Sequence, residues 1–172
     1  MNRPARFSGK PKTEWLDDGR NMLLLEEFTF TDDEGSVWVA PKGSPINGAS
    51  IPKFLWSTVG SPYAGLYRNA SIIHDVYCVS AGVDRDKRKA ADRMFHQGCL
   101  AGGCSKEEAA MLYAGVRAGA SSIDAGMVEG DMGEFHFNLE EDPPWFKRFR
   151  TDLGNLAGDY GLDQLERLIK PG

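Results

Sequence analysis

Three amphipathic segments, separated only by glycine-rich breaks, constrain this chain more than any other feature. The first runs from about Ala64 to Val79 and stops before Gly82, and the second opens near Asp84 or Asp86 and reaches about Leu100. Gly102-Gly103 ends it, and the third begins at Ser105 and extends to about Ala118. Asp84 or Asp86 can accept from the free amides at the start of the second helix. Ser105 with Glu108 three residues on has the spacing of a capping box. Connections this short leave neighbouring helices no choice but to fold back on each other, so an antiparallel helical bundle is predicted.

The segment before the bundle reads as β. Met22 to Thr31 and Ser36 to Ala40 are rich in Leu, Phe, Val and Trp, and the polar Asp32-Asp33-Glu34-Gly35 between them suits a tight reversal. Pro41 to Ile51 is a Gly/Pro/Ser loop, and Pro52 leads into a short helical stretch, Lys53 to Val59. The expected class is α+β, an N-terminal β-hairpin or small antiparallel sheet followed by an antiparallel helical bundle. Residues 1–20 read as a flexible arm, 21–120 as the core domain, and 121–172 as an extension packed on that core. Within the extension, Phe135 and Phe137 alternate around His136 as in a short strand, and a last helix is expected over 162–169.

Bulk properties narrow the function classes. At 172 residues, 41% of them hydrophobic, the chain can bury a core. The net charge of -5 and the lack of any long basic run argue against a surface that tracks nucleic-acid phosphates. No stretch approaches the roughly 20 apolar residues of a transmembrane segment. No apolar core follows the polar N-terminus, so no signal peptide is read and a cytoplasmic product is expected as synthesised. Three cysteines, Cys78, Cys99 and Cys104, do not make a disulfide framework and read as small buried hydrophobes.

The candidate chemistry lies on the first helical pair. Ile72-Ile73-His74-Asp75-Val76-Tyr77 places two ionisable groups inside an apolar run. Neighbouring helical residues point about 100° apart, so His74 and Asp75 must serve different directions. The antiparallel return across Gly82 brings Asp92 level with one of them. A carboxylate that holds His74 would fix its tautomer and raise its basicity, as a water-activating base requires. The competing reading is a buried His–Asp pair that only satisfies core polar groups. The loop Asn47-Gly48-Ala49-Ser50 offers amides and a side chain to a metal or an oxyanion, or simply builds a turn.

Weaker candidates read structurally. Asp84-Arg85-Asp86 lacks the rest of a calcium loop and is a helix cap. His96 is expected at the surface or its boundary, and His136 opposite an apolar strand face. Cys78, four residues beyond His74 on one helix, is poorly placed to attack as a nucleophile. Trp145, Phe146 and Phe149 are expected to pack on the bundle rather than form an exposed patch.

Several of these motifs together resemble the family called domain of unknown function 1353, which occurs in phages, prophages and bacteria. They are Val39-Ala40-Pro41-Lys42-Gly43, Asn47 to Pro52, His74-Asp75 with Tyr77, Arg88 with Ala91-Asp92 and Phe95, and Met111-Leu112-Tyr113 before Val116-Arg117. The resemblance runs from about Phe28 to Gly119. The family usually has Thr-Asp where this chain has Ile46-Asn47, and tends to have Tyr where it has Cys78. A looser likeness, to secreted phospholipases of the A type, implies roles. His74 would be the base, Asp92 its orienting group, Asp75 with Asn47 the calcium ligands, and Gly48, Ser50, Tyr77 and Arg88 the support.

The resemblance implies a phage- or prophage-associated, metal-assisted hydrolase acting on a lipid or cell-envelope substrate. A delivered antibacterial toxin, met by an immunity protein and exported by a secretion system, fits the same reading. The alternative is a non-enzymatic, virion-associated protein that contacts phage structural proteins in a tail or in assembly, or that binds a host component.

Overall fold

The computed structural model describes residues 3–19, 21–47, 51, 55–60, 64–124 and 144–169, with no side-chain detail for 119–124. The architecture is α+β, as expected: two small antiparallel sheets come first and the helices follow. One sheet has the order β1 (Arg6–Phe7), β4 (Phe28–Thr31), β5 (Val37–Ala40). The other has the order β2 (Thr13–Trp15), β3 (Met22–Leu24), β6 (Pro45–Ile46). The helices are α1 (Trp56–Val59), α2 (Arg68–Ala81), α3 (Arg85–Ala101), α4 (Lys106–Asp124), α5 (Pro144–Asn155) and α6 (Leu162–Leu168).

β4 and β5 form the expected hairpin, with Thr31 opposite Val37 and Phe28 opposite Ala40. Asp32 builds the turn: its Oδ1 accepts from the Glu34 and Ser36 amides, and its Oδ2 from the Trp38 indole. The expected first strand, Met22 to Thr31, is split in two. Leu25, Glu26 and Glu27 are all exposed, so they interrupt the in-out alternation and β3 joins a different sheet from β4.

Residues 1–20 are not an arm throughout. Arg6 and Phe7 pair with Thr31 and Phe30, and Thr13 to Trp15 pair with Leu24 to Met22. The Phe7 ring explains the docking, since it stacks on Phe28 at 5.6 Å and meets Phe30 at 4.8 Å.

The helical caps follow the sequence. Asp84 accepts from the Asp86 and Lys87 amides at the start of α3, and Ser105 and Glu108 exchange both bonds of the capping box before α4. Gly82 turns the chain with φ +54°, a conformation a side chain would resist. α2 and α3 approach closely where Gly98 meets Ala70; a Cβ on Gly98 would lie 2.8 Å from the Ala70 Cβ. α4 continues past Ala118 to Asp124. The strand expected around His136 lies outside the described residues.

Two apolar cores flank the first helical pair. Met22, Leu24, Phe28, Phe30 and Ile46 from the sheets pack on Ile72, Ile73 and Met94. Tyr67, Phe95, Leu112 and Tyr113 pack with Phe146, Phe149 and Leu165 from the C-terminal helices. The α2–α3 pair is therefore the shared wall of both cores, and side chains between these helices are sealed from both sides. Among the described residues no helix is long and apolar enough to cross a membrane.

Candidate functional site

α2 carries His74 inward because the residues around it, from Ala70 to Ile73, are all buried. α3 carries Asp92 to the same level behind the small, buried Ala91. The His74 Nε2 lies 2.7 Å from the Asp92 Oδ1, with the two side chains 6% and 3% exposed. The second Asp92 oxygen accepts from Arg117 Nη1 on α4 at 2.7 Å. Phe95 covers the imidazole with its ring centre at 4.8 Å.

Three helices thus supply a cation–carboxylate–cation array in a nearly dry setting. Burial alone would depress the imidazole, but the Cys78 sulfur and the Asp92 carboxylate outweigh it and hold His74 well above 6.5. At neutral pH the ring carries its proton and Asp92 balances it.

Cys78 completes the array. One turn along α2, its Sγ lies 3.3 Å from His74 Nε2 and 3.7 Å from Nδ1. It is half-buried, whereas His74 and Asp92 are buried. Among the described residues, His74, Cys78 and Asp92 form a group of donors close enough to share one ion, all within 4.8 Å of one another.

The remaining sequence candidates sit elsewhere. Asp75, next to His74, points a different way, as the helical geometry requires, and its Oδ2 accepts from the Asn47 backbone N–H at 3.0 Å. This is a donor turned toward the carboxylate, not a carbonyl beside it. A calcium ion needs six to eight oxygens. The described contact ties Asn47 to α2. Gly48 and Ser50 lie outside the described residues.

Tyr77 does not join His74. Its hydroxyl accepts from the Val39 amide at 3.0 Å and its ring meets Trp38 edge-on at 4.8 Å, so it pins β5 to α2. Arg88 is buried one turn before Asp92 on α3.

Two members of the array, Arg117 and Cys78, fall outside the site set expected from sequence. Arg117 stands inside a recognised motif, but the turn of α4 that faces Asp92 is set by the tertiary packing. Cys78 is a poor attacker in sequence terms, yet i and i+4 positions share a helix face, which is enough for contact. His96 is a further correction. It is buried rather than superficial, with its ring against Tyr113 at 5.7 Å, and burial pushes it down to about 4.

A buried His–carboxylate centre between antiparallel helices, on a small β scaffold, is the class that this geometry defines. The chain belongs to the family described as protein of unknown function (DUF1353), whose model matches residues 22–116. That match includes His74, Cys78 and Asp92 and ends one residue before Arg117.

Two curated relatives from Sinorhizobium fredii are similar to it. Uncharacterized protein y4jT is 37% identical over 111 residues, covering 62% of this chain and 32% of that protein. Uncharacterized protein y4iH is 38% identical over 103 residues, covering 59% of this chain and 41% of that protein. The aligned part is therefore well under half the length of either relative. No solved structure matches the chain.

Proposed function

We propose that this protein is a hydrolase in which His74 moves the proton, Asp92 orients it and Arg117 holds Asp92. The observation that carries the reading is the 2.7 Å bond between His74 and Asp92 in a nearly water-free setting. A carboxylate fixed on one ring nitrogen makes the imidazole strongly basic and leaves the opposite nitrogen for a water or substrate proton. The substrate class is a lipid ester or a cell-envelope bond, and the setting is a phage or prophage product or a delivered toxin.

His74 must first lose its resting proton to act as a base. Activity should therefore climb as pH rises above neutrality. The test uses wild-type protein and His74→Gln on phospholipid vesicles and on peptidoglycan, measuring released acid or fragments. Wild-type turnover that falls by about 100-fold or more in folded His74→Gln is expected. Equal turnover in that variant, or no wild-type turnover on either substrate, overturns the proposal.

Burial favours a second reading. His74 and Asp92 are only 5% and 2% exposed, which suits a core ion pair in a non-enzymatic phage tail, assembly or host-binding protein. That reading expects His74→Gln to change stability and leave partner binding intact.

A further inference from the structure

We propose that His74, Cys78 and Asp92 form a binding site for a thiophilic divalent ion of the zinc class. The donor set is an imidazole nitrogen, a sulfur and a carboxylate oxygen, all within 4.8 Å of one another. Zinc takes this mixture readily, and with three protein ligands it keeps a fourth position open. Calcium and magnesium prefer oxygen alone.

The scaffold suits the role. His74 and Cys78 stand four residues apart on α2, so both donors project from one helix face, a spacing that metal-binding helices use. Asp92 closes the site from α3. The Nε2–Oδ1 separation of 2.7 Å and the Sγ–Nε2 separation of 3.3 Å are slightly short for two ligands of one ion. Tetrahedral zinc with bonds of about 2.0 and 2.3 Å sets its ligands roughly 3.3 to 3.6 Å apart. Entry of the ion therefore asks those two pairs to open by well under 1 Å and the Cys78 sulfur and Asp92 oxygen, within 4.8 Å, to settle near the same spacing, a shift that the half-buried Cys78 can supply.

Charge and orientation agree. Ionised Cys78 and Asp92 together balance a divalent ion. Arg117 occupies Oδ2 of Asp92 and leaves Oδ1 facing the other donors, as an outer partner of a ligating carboxylate does. Cys78 also provides the route in, because it is half-buried whereas His74, under the Phe95 ring, and Asp92 are buried. The ion takes the place of the proton on Nε2 and of the thiol proton, so binding releases protons.

The site stands apart from the hydrolase reading, because binding needs no turnover. The full chain, freed of metal with a chelator, is titrated with Co2+ and followed by absorption. A thiolate-to-cobalt charge-transfer band that saturates at one ion per chain and is displaced by Zn2+ but not Ca2+ is expected. Cys78→Ser should lose the band although Cys99 and Cys104 remain, and Arg117→Gln should weaken binding by about tenfold.

Wild-type protein alone gives a second measurement, in which Zn2+ should slow alkylation of Cys78, mapped by mass spectrometry, at least tenfold. No charge-transfer band, a band that persists in Cys78→Ser, or unchanged alkylation overturns the site. An ion on Nε2 displaces the proton that Asp92 accepts in the hydrolase reading, so turnover is assayed on metal-free protein and decided separately.

Discussion

His74 and His96 are both buried in the helical part of the protein, yet they are driven in opposite directions. His74 is held well above 6.5 and His96 is pushed down to about 4. Burial acts on both rings in the same sense, by disfavouring the cation. The difference is what faces the ring: the Cys78 sulfur and the Asp92 carboxylate on His74, and neither on His96. Asp92 meets His74 at 2.7 Å, whereas the His96 Nδ1 has no hydrogen-bond partner among the described residues and its ring rests against Tyr113. One ring is held toward its charged form by the groups that face it. The other is a neutral packing element. A buried histidine is therefore no sign of chemistry until its partners are known.

Removing the carboxylate should break the contrast with the largest effect. Asp92→Ala removes the carboxylate that both His74 and Arg117 contact and leaves a gap between α2 and α3. Loss of one partner from a buried pair costs about 3–5 kcal/mol, so a large drop in denaturation midpoint is expected. In the milder Asp92→Asn, the His74 imidazole signals followed by NMR should titrate lower than in the wild type, with the Cys78 sulfur still beside the ring. A His74 titration unchanged in Asp92→Asn would show that the carboxylate has no share in its charge.

The two rings also set opposite limits on stability against pH. His74 has a folded value above the unfolded 6.5. Its contribution is complete below 6.5 and is lost as pH rises through the folded value. His96 has a folded value below 6.5, so its contribution is complete above 6.5 and is lost as pH falls toward about 4. Stability should therefore peak around pH 6.5 and decline on both sides.

The His96 share of the acid decline is on the order of 1–3 kcal/mol between pH 6.5 and 4. His96→Phe, which keeps a ring against Tyr113, should flatten that limb and leave the alkaline limb in place. Urea denaturation at a series of pH values checks both limbs. An acid limb unchanged in His96→Phe would contradict the assignment.

The sequence carried the local features and missed those that depend on tertiary packing. Asp84, Ser105 with Glu108, and Gly82 act within a turn of themselves, so their roles as caps and breaker could be read directly. The His74–Asp92 level followed from counting residues across a short turn. Counting could not show which way the outer faces look. Tyr77 serves the hairpin because Trp38 and Val39 happen to pack beside it, and His96 is covered because Tyr113 on α4 reaches it. Phe7 was hidden in a polar arm, and only its stack on Phe28 ties it to the core. Cys78 and Arg117 joined the site through helix-face geometry and through the packing of α4 against α3.

The residue after Asp92 gives the gentlest test of what burial does. Arg93 points to the other side of α3, where Glu166 of α6 accepts from its Nε at 2.7 Å, from the Tyr113 hydroxyl at 2.8 Å and from Lys89 at 3.0 Å. The Arg93 guanidinium holds the Glu166 carboxyl down to about 2. Its share of stability is therefore present above about 4.5 and fades as pH falls toward 2.

The charges resemble those of the His74 array, but the Arg93 and Glu166 side chains are 39% and 19% exposed. Water and salt screen them, and Glu166→Ala should cost only about 1 kcal/mol, and less in high salt. The effect should also be local. Amides of Leu162–Leu168 should exchange faster while the His74 titration stays where it is. A loss as large as that of Asp92→Ala, or a shift in the His74 titration, would mean that the two faces of α3 act as one network and that burial does not separate them.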